Sequence, residues 1–282
     1  MPGTLYVVAT PIGNLEDVTA RALRILKEVA VIAAEDTRRT GHLLARYAIT
    51  TPTTSLHEHN ETSKTPALIE RLNRGEDIAL VSDAGTPLIS DPGQHLIRMA
   101  IAAGIRIEPI PGPSAVMAAL SAAGVSTAIF SFLGFPPIRS NDRNLWFERL
   151  KQIDHTVVFF EAPHRIDQTL GELLRAIGDC PIVVCRELTK IHESLVRGQI
   201  SQILSERLKA KGELTVVIEI GHKTDNEPAS LPSDESLADK FGHMIANDHI
   251  SRRKAIASLA RIHRMTPNQV YEAVERAKKL VE

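Results

Sequence analysis

"DIALVSDAGTPLISDPG", residues 77–93, decides how this chain is read. An apolar run of strand length, Ile78 to Val81, stops at Ser82 and Asp83 and gives way to a corner holding Gly85, Pro87, Pro92 and Gly93. Gly and Pro interrupt regular structure more strongly than any other residues, so a buried strand that ends here delivers its polar groups into a loop. Asp83 set before Gly85 lets a carboxylate face a ligand while backbone amides come close. The same pattern recurs on either side. "VVATPIGNL" ends an apolar run at a Pro-Ile-Gly turn, and "IEPIPGPSAVMAAL" ends one at Pro111-Gly112-Pro113, after which Ser114 is placed to cap a helix. In open α/β sheets, ligands bind outside the carboxyl ends of strands, where loops supply polar groups without disturbing the core.

Outward from these loops, apolar runs alternate with amphipathic helical segments, the pattern of an α/β protein. "LYVVAT", "VAVIAAE", "TTSLHEH", "DIALVSD" and "IRIEPI" read as strands, with "TARALRILKEV" and "TPALIERLNRG" as helices between them. After Pro113 a second unit begins, with strands "AIFSFLGF", "HTVVFFEA", "PIVVCREL" and "ELTVVIEI" and helices "NLWFERLKQI", "RIDQTLGELLRAI" and "ISQILSERLKA". "GHKTDNEPASLPSDES" is polar and carries two prolines, as a linker does. The division expected is therefore an α/β domain over 1–112, a second over 113–222, a linker over 223–236 and a helical tail over 237–282. In the tail, Thr266 can cap a helix that starts at Pro267.

A chain of 282 residues, 43% hydrophobic, has ample apolar surface for two domains. No apolar stretch approaches the roughly 20 residues of a membrane span, and the N-terminus lacks a basic leader region, so a cytoplasmic protein is expected. Cys180 and Cys185 make neither a disulfide framework nor a metal quartet. His57, Glu58 and His59 lack a third spaced ligand, and no metal is expected. The formal charge of −1 conceals an asymmetry: residues 249–282 hold eight Lys or Arg against three Glu, which leaves −6 on the remainder. A basic tail on an acidic body points to a polyanionic partner, or to a solvated helix face. Arg252, Arg253, Lys254 and Arg264 on two amphipathic helices resemble a small nucleic-acid-binding helix-turn-helix module, with docking onto the protein itself as the other reading.

The loops match no common nucleotide signature: the lysine of a phosphate-binding P-loop is missing, and no G-x-G-x-x-G follows the first strand. In unbroken order, however, "TPIGNLEDVTARAL", "AAEDTRRTG", "LHEHNE", "SDAGTPLISDPG", "PGPSA", "LGFPP", "FFEAPHR", "CRELTK" and "GELTVVIE" resemble the tetrapyrrole methylase superfamily, and within it the members that methylate ribosomal RNA. The resemblance spans residues 4 to about 222, and the tail is similar to the helical extension of the same members. It implies an α/β, two-domain tetrapyrrole-methylase-like fold with an S-adenosylmethionine cleft between the domains, plus a small C-terminal helical module. It also implies methylation of the ribose 2'-hydroxyl of a cytidine in 16S rRNA of the small ribosomal subunit, by a homodimer.

Carried onto this sequence, the resemblance assigns the cofactor to Pro11, Ile12, Gly13, Asp83, Gly85, Thr86, Ser114 and Ala115 from the first three loops, and to Phe160, Leu188, Leu214 and Thr215 from the second unit. A carboxylate at Asp83 suits a donor with an ammonium and a sulfonium. Asp36 and Lys190 are the candidate catalytic groups. Arg38, Arg39, His57, Asn60, Arg139, Arg143, His164, Arg165 and Glu187 are candidates for the RNA side, because a phosphate backbone is met chiefly by cations and polar groups. Two other readings stay open: a tetrapyrrole precursor C-methyltransferase, and a non-catalytic RNA-binding assembly factor.

Overall fold

The structure, a computed structural model, describes residues 1–206, 212–221, 234–246, 251–262 and 265–279. They fall into two compact units, Met1–His222 and Lys223–Glu282. The larger unit is built on two five-stranded sheets.

The first sheet holds β1 (Thr4–Val8), β2 (Val31–Ala34), β3 (Thr53–Ser55), β4 (Ile78–Val81) and β5 (Arg106–Ile110) in the order β3-β2-β4-β1-β5. All its pairings are parallel. A parallel sheet needs both faces covered, and its central strands accordingly read as unbroken apolar runs: every residue of β2 and β4 is buried. Helices α1 (Ala20–Glu28) and α2 (Thr37–Arg46) cover one face, while α3 (Glu61–Asn73) and α4 (Gln94–Ala102) cover the other. The chain therefore leaves β1 towards one face and β4 towards the other. These strands are neighbours, so a crevice opens between their carboxyl ends.

The second sheet holds β6 (Phe130–Phe132), β7 (Thr156–Glu161), β8 (Pro181–Arg186), β9 (Ser194–Gln199) and β10 (Leu214–Glu219) in the order β6-β7-β10-β8-β9. Only the β6 to β7 pairing is parallel. One face packs on α6 (Ser140–Leu150), α7 (Ile166–Ile177) and α8 (Ile200–Glu206), the other on α5 (Ala115–Ala123). Because β10 runs antiparallel to β7 and β8, its first residues lie beside their last ones, and one sheet edge collects all three. Strand β9 is absent from the sequence reading: "SLVRGQ" carries Arg197 and Gly198 in mid-run and pairs as an edge against β8.

The smaller unit packs α9 (Asp234–Ala246), α10 (Arg252–Ile262) and α11 (Pro267–Lys279) around Leu237, Phe241, Leu259, Val270 and Val274. Its first helix begins at Asp234, inside the stretch read as linker; the linker residues 223–233 lie outside the described residues. Thr266 and Gln269 form a capping box at the start of α11: the Gln269 amide donates to Thr266 Oγ1 at 3.3 Å and Gln269 Oε1 accepts from the Thr266 amide at 2.8 Å. Arg252, Arg253 and Lys254 are exposed, Arg276 is paired with Asp234, and Arg264 lies outside the described residues. Among the described residues no helix is long and apolar enough to cross a membrane.

Candidate active site

Loops from the carboxyl ends of the first sheet are tied directly to one another. After β1, Thr10 exchanges two backbone hydrogen bonds with Gly85 after β4: the Thr10 amide donates at 2.9 Å and the Gly85 amide at 3.0 Å. Thr10 Oγ1 donates to the Ser82 carbonyl at 3.2 Å, and Thr86 Oγ1 donates to the Pro113 carbonyl at 3.2 Å. Ser114 caps α5 by accepting from the Met117 amide, so the stiff Pro-Gly-Pro stretch runs straight into a helix whose buried face belongs to the second sheet. Gly85 sits at φ +82°, a conformation that residues with a Cβ adopt at a cost. Among the described residues, four of the five non-glycine positions with positive φ also lie in loops at this place: Leu88 and Ser90 after β4, Glu187 and Thr189 after β8. Such backbone persists where surrounding structure holds it, and it gathers at ligand sites.

These loops and the edge of the second sheet enclose a cavity of about 500 Å³. Ile12, Asp83, Gly85, Thr86, Ser114 and Ala115 line it from the first sheet's side. Phe160, Leu188, Leu214 and Thr215 line it from the second, along with Lys190. All of these are among the residues the sequence predicts. A second cavity, of about 570 Å³, adjoins it and is lined by Gly13, Glu187 and Lys190, with Arg46 and His192. Lys190 borders both. Gly13 touches the loop after β8 so closely that a Cβ there would lie 2.5 Å from Lys190 Cγ and 3.0 Å from the Leu188 carbonyl oxygen.

The first cavity is negative at one end. Glu35, Asp83 and Asp91 line it together, and Asp83 Oδ2 lies 3.5 Å from Arg39 Nη1. Burial, with Glu35 and Asp83 nearby, pushes the Asp91 carboxyl up to about 6, against a hydrogen bond from Ser82 that acts the other way. Burial raises Glu35 as well. On the second sheet's side, Lys190 Nζ donates to Glu187 Oε1 at 2.9 Å and stands 3.5 Å from Glu213 Oε2. Burial pulls its pKa down, yet the two carboxylates outweigh it and the ammonium is held above its usual value. Lys190 is therefore a fixed cation.

Several sequence-predicted residues take other places. Asp36 does not line the cavity; it caps α2 through the Arg38 amide at 2.8 Å and grips the Arg38 guanidinium. Those hydrogen bonds from Arg38 hold its carboxyl far below the usual range, so it is a poor proton acceptor. Arg143 is corrected outright: its side chain is only 8% exposed and is consumed by Glu172, Thr169 and the Pro137 carbonyl. Arg165 is bound to the buried Glu161. Both arginines tie the helices on the second sheet to its strand ends and loops, with their guanidinium groups already committed to carboxylates. His57 and Asn60 join each other in the turn after β3, with His57 Nε2 2.9 Å from Asn60 Nδ2, and line neither cavity. Arg139 and His164 are exposed, and Arg38 is 88% exposed; Arg39 alone among the proposed RNA-side cations lines the first cavity. Pro11 precedes Ile12 and lines neither cavity.

Glu35, Asp91, Glu161 and Phe135 also line the cavity, and sequence reasoning does not single them out. Asp91 stands in the opening stretch, at its second turn. Glu35 directly follows the buried run of β2, the position at which each of the other loops begins. Among the described residues, no group of three or more His, Cys, Asp or Glu is arranged to hold a metal ion.

Residues 4–204 match the family model described as Tetrapyrrole (Corrin/Porphyrin) Methylases. The chain is 42% identical over 277 residues to ribosomal RNA small subunit methyltransferase I of Haemophilus influenzae, covering 96% of each. It is 47% identical over 228 residues to the protein of the same name in Halalkalibacterium halodurans, covering 80% of this chain and 79% of that one. In fold it is similar to the uroporphyrin-III C-methyltransferase of Thermus thermophilus solved with S-adenyl homocysteine, with a TM-score of 0.57 and 16% identity over 77% of this chain and 97% of that one.

Proposed function

The chain belongs to the tetrapyrrole methylase family, and on that premise we propose that it is an S-adenosylmethionine-dependent methyltransferase acting on the 2'-hydroxyl of a cytidine ribose in the 16S rRNA of the small ribosomal subunit. The observation that carries this reading is the cavity at the strand ends, in a chain similar over 96% of its length to a ribosomal RNA methyltransferase. Likeness to tetrapyrrole enzymes, at 16% identity, supports the fold alone.

The residues present suit the cofactor. A cradle at Gly85 leaves room that a Cβ would fill, 3.3 Å from Ile12 Cγ2. Leu188, Leu214 and Phe160 offer apolar surface to a purine, while Asp83, Glu35 and Asp91 favour a cation. Bound there, S-adenosylmethionine supplies an electrophilic methyl group on a sulfonium. In-line transfer to a hydroxyl depends chiefly on holding the reacting atoms collinear, so the contribution assigned to this chain is rigid positioning and exclusion of water. The hydrogen-bonded loops after β1, β4 and β5 provide the rigidity. Lys190, as a held ammonium between the two cavities, is placed to orient an acceptor from the second cavity towards the first.

Labelled-methyl transfer to small subunits from cells lacking the protein, followed by mapping of the modified ribose, tests the assignment. Label on a cytidine 2'-hydroxyl is expected. Transfer to a uroporphyrin-type tetrapyrrole with none to rRNA would establish the C-methyltransferase reading, and RNA binding without S-adenosylmethionine binding the assembly-factor reading. The same resemblance carries a cytoplasmic homodimer, and a one-copy mass in sedimentation velocity would remove the dimer.

Two further results are expected. The Asp91 carboxyl, at about 6, adds a negative charge to the cavity as pH rises through that value, beside Glu35 and Asp83 and facing Arg39. A cationic ligand prefers the ionised form, so S-adenosylmethionine affinity should rise about tenfold between roughly pH 5 and pH 7, with proton release on binding at the lower pH. Asp91→Asn should flatten the profile in calorimetry; an unchanged profile removes Asp91 from the site. For the tail, ending the chain before Asn226 should leave cofactor affinity intact, because the cores of the first unit are complete without it. Subunit binding should weaken, and its log–log salt slope should drop by roughly 0.7–0.9 for each phosphate that the tail had neutralised. Identical slopes would leave the tail a role in self-docking.

A further inference from the structure

Phe135 is the one exposed phenylalanine among the seven in the chain, at 52% exposure. It lines the first cavity from the loop after β6, in contact with Phe160, their ring centroids 5.3 Å apart at 56°. Phe160 in turn packs edge-on against Phe132 at 4.9 Å, within the core cluster around α5. The loop carrying Phe135 is stiff. The Gly134 carbonyl accepts from the Phe160 amide at 2.9 Å, and Pro136 and Pro137 follow, with the Pro137 carbonyl held by Arg143. Ile89, 43% exposed, also lines the cavity, on the loop after β4. The two loops meet here, since a Cβ on Gly134 would lie 3.5 Å from Ser90 Oγ.

A flat ring left half in water on a rigid loop loses free energy to hydration that burial would recover. Depth along the cavity wall indicates what covers it. Val116, Leu214 and Thr215 are 4%, 2% and 5% exposed, so the inner wall suits a ligand that becomes enclosed. Phe135 and Ile89 mark the rim, which a macromolecular acceptor reaches from outside. Arg39 lines the same cavity and Arg139 lies four residues beyond Phe135, giving cations for an adjoining phosphate. Sequence-specific RNA recognition relies on unstacked bases laid on aromatic side chains, and a ribose can enter a cavity of this size only if its nucleotide leaves the stack. We propose that Phe135 is the stacking platform for the base of the acceptor nucleotide, with Ile89 on the adjoining loop adding apolar surface beside it. This rests on the RNA-methyltransferase reading above and adds to it the group that seats the substrate.

The test uses the full chain, with Phe135→Ala, Phe135→Leu and Phe135→Trp, on undermethylated small subunits. Stacking of one base on an aromatic side chain is worth about 1–3 kcal/mol, a factor of roughly 5 to 150. Phe135→Ala and Phe135→Leu should therefore raise KM for subunits by about that factor, with S-adenosylmethionine Kd by calorimetry and sedimentation mass unchanged; Phe135→Trp should restore KM. The leucine variant keeps apolar bulk without a flat face, so recovery by leucine would make the ring a packing residue and overturn the proposal. Loss of cofactor affinity in step with activity would assign the ring to the adenine, and a change in mass would assign it to a second copy of the chain; either result also overturns it. If the wild-type chain transfers no methyl to subunits while binding the cofactor, the functional reading itself fails.

Discussion

Gly85→Val is expected to lower S-adenosylmethionine affinity by about a hundredfold or more while the protein stays folded. Gly85 sits at φ +82°, where a β-branched residue is a steric outlier, and its new Cβ would lie 3.3 Å from Ile12 Cγ2 and 3.7 Å from the Pro113 oxygen. Holding a non-glycine residue in such backbone costs about 1–3 kcal/mol. The chain can escape that strain only by rotating out of its two hydrogen bonds to Thr10, which join the loops after β1 and β4. Either way the cradle is lost, and about 3 kcal/mol corresponds to roughly a hundredfold in affinity. Gly104→Ala is the control: φ is +69° there with nothing within 4 Å, so it should lower stability slightly and leave affinity alone. Calorimetry on both variants decides the matter, and wild-type affinity in a folded Gly85→Val protein would remove this loop from the cofactor site.

Glu161→Ala should destabilise the protein by about 3–5 kcal/mol, the cost of breaking a buried pair by removing one partner. Glu161 ends β7 at 1% exposure and accepts hydrogen bonds from Arg165 Nε at 2.7 Å, from Thr169 Oγ1 at 2.5 Å and from the Ala162 amide at 2.7 Å. Its removal leaves the Arg165 guanidinium, whose side chain is 15% exposed, without its counter-charge. At roughly 2–4 °C per kcal/mol for a unit of this size, Tm should fall by about 10 °C, less for Glu161→Gln, which keeps a polar partner for Thr169. Arg165→Ala should lower Tm too, with little effect on KM for subunits. A normal Tm with a raised KM would instead return Arg165 to the RNA side, where its sequence neighbourhood places it.

Arg165 and Arg143 show why the RNA side is the least legible part of the sequence. An arginine in a polar stretch reads alike whether it meets phosphate or a buried carboxylate: Glu172 reaches Arg143 from the following helix, and Glu161, although only four residues before Arg165, is recognisable as a partner only once its burial at the end of β7 is known. Asp36 misleads for a related reason: "EDTRR" puts two carboxylates beside each other, and the end of β2 turns Glu35 into the cavity while Asp36 caps α2. Strand β9 lacks an apolar run because an edge strand needs none.

The strand-end loops, and the residues standing in them, follow from the chain alone. A buried parallel strand such as β4 must be apolar throughout, and the Gly, Pro, Asp and Ser in the loops that follow β1, β4 and β5 suit local backbone conformation, so these loops, with Asp83, Gly85 and Ser114 in them, can be read off the sequence, while Thr86 and Ala115 are implied by the family resemblance. Which charges face the cavity is settled by packing in three dimensions. Asp91 joins Glu35 and Asp83 there because β2 and β4 are neighbours in space, and that convergence under burial, a property of no short stretch, is what raises its pKa to about 6. Lys190 is fixed as a cation by Glu187, three residues before it, together with Glu213, which approaches across the β8 to β10 pairing, and Phe135 stands at the rim where the loop after β6 meets the loop after β4. Local conformation follows from local sequence, whereas electrostatics and exposure are sums over everything within several ångströms, and folding brings those neighbours from all along the chain.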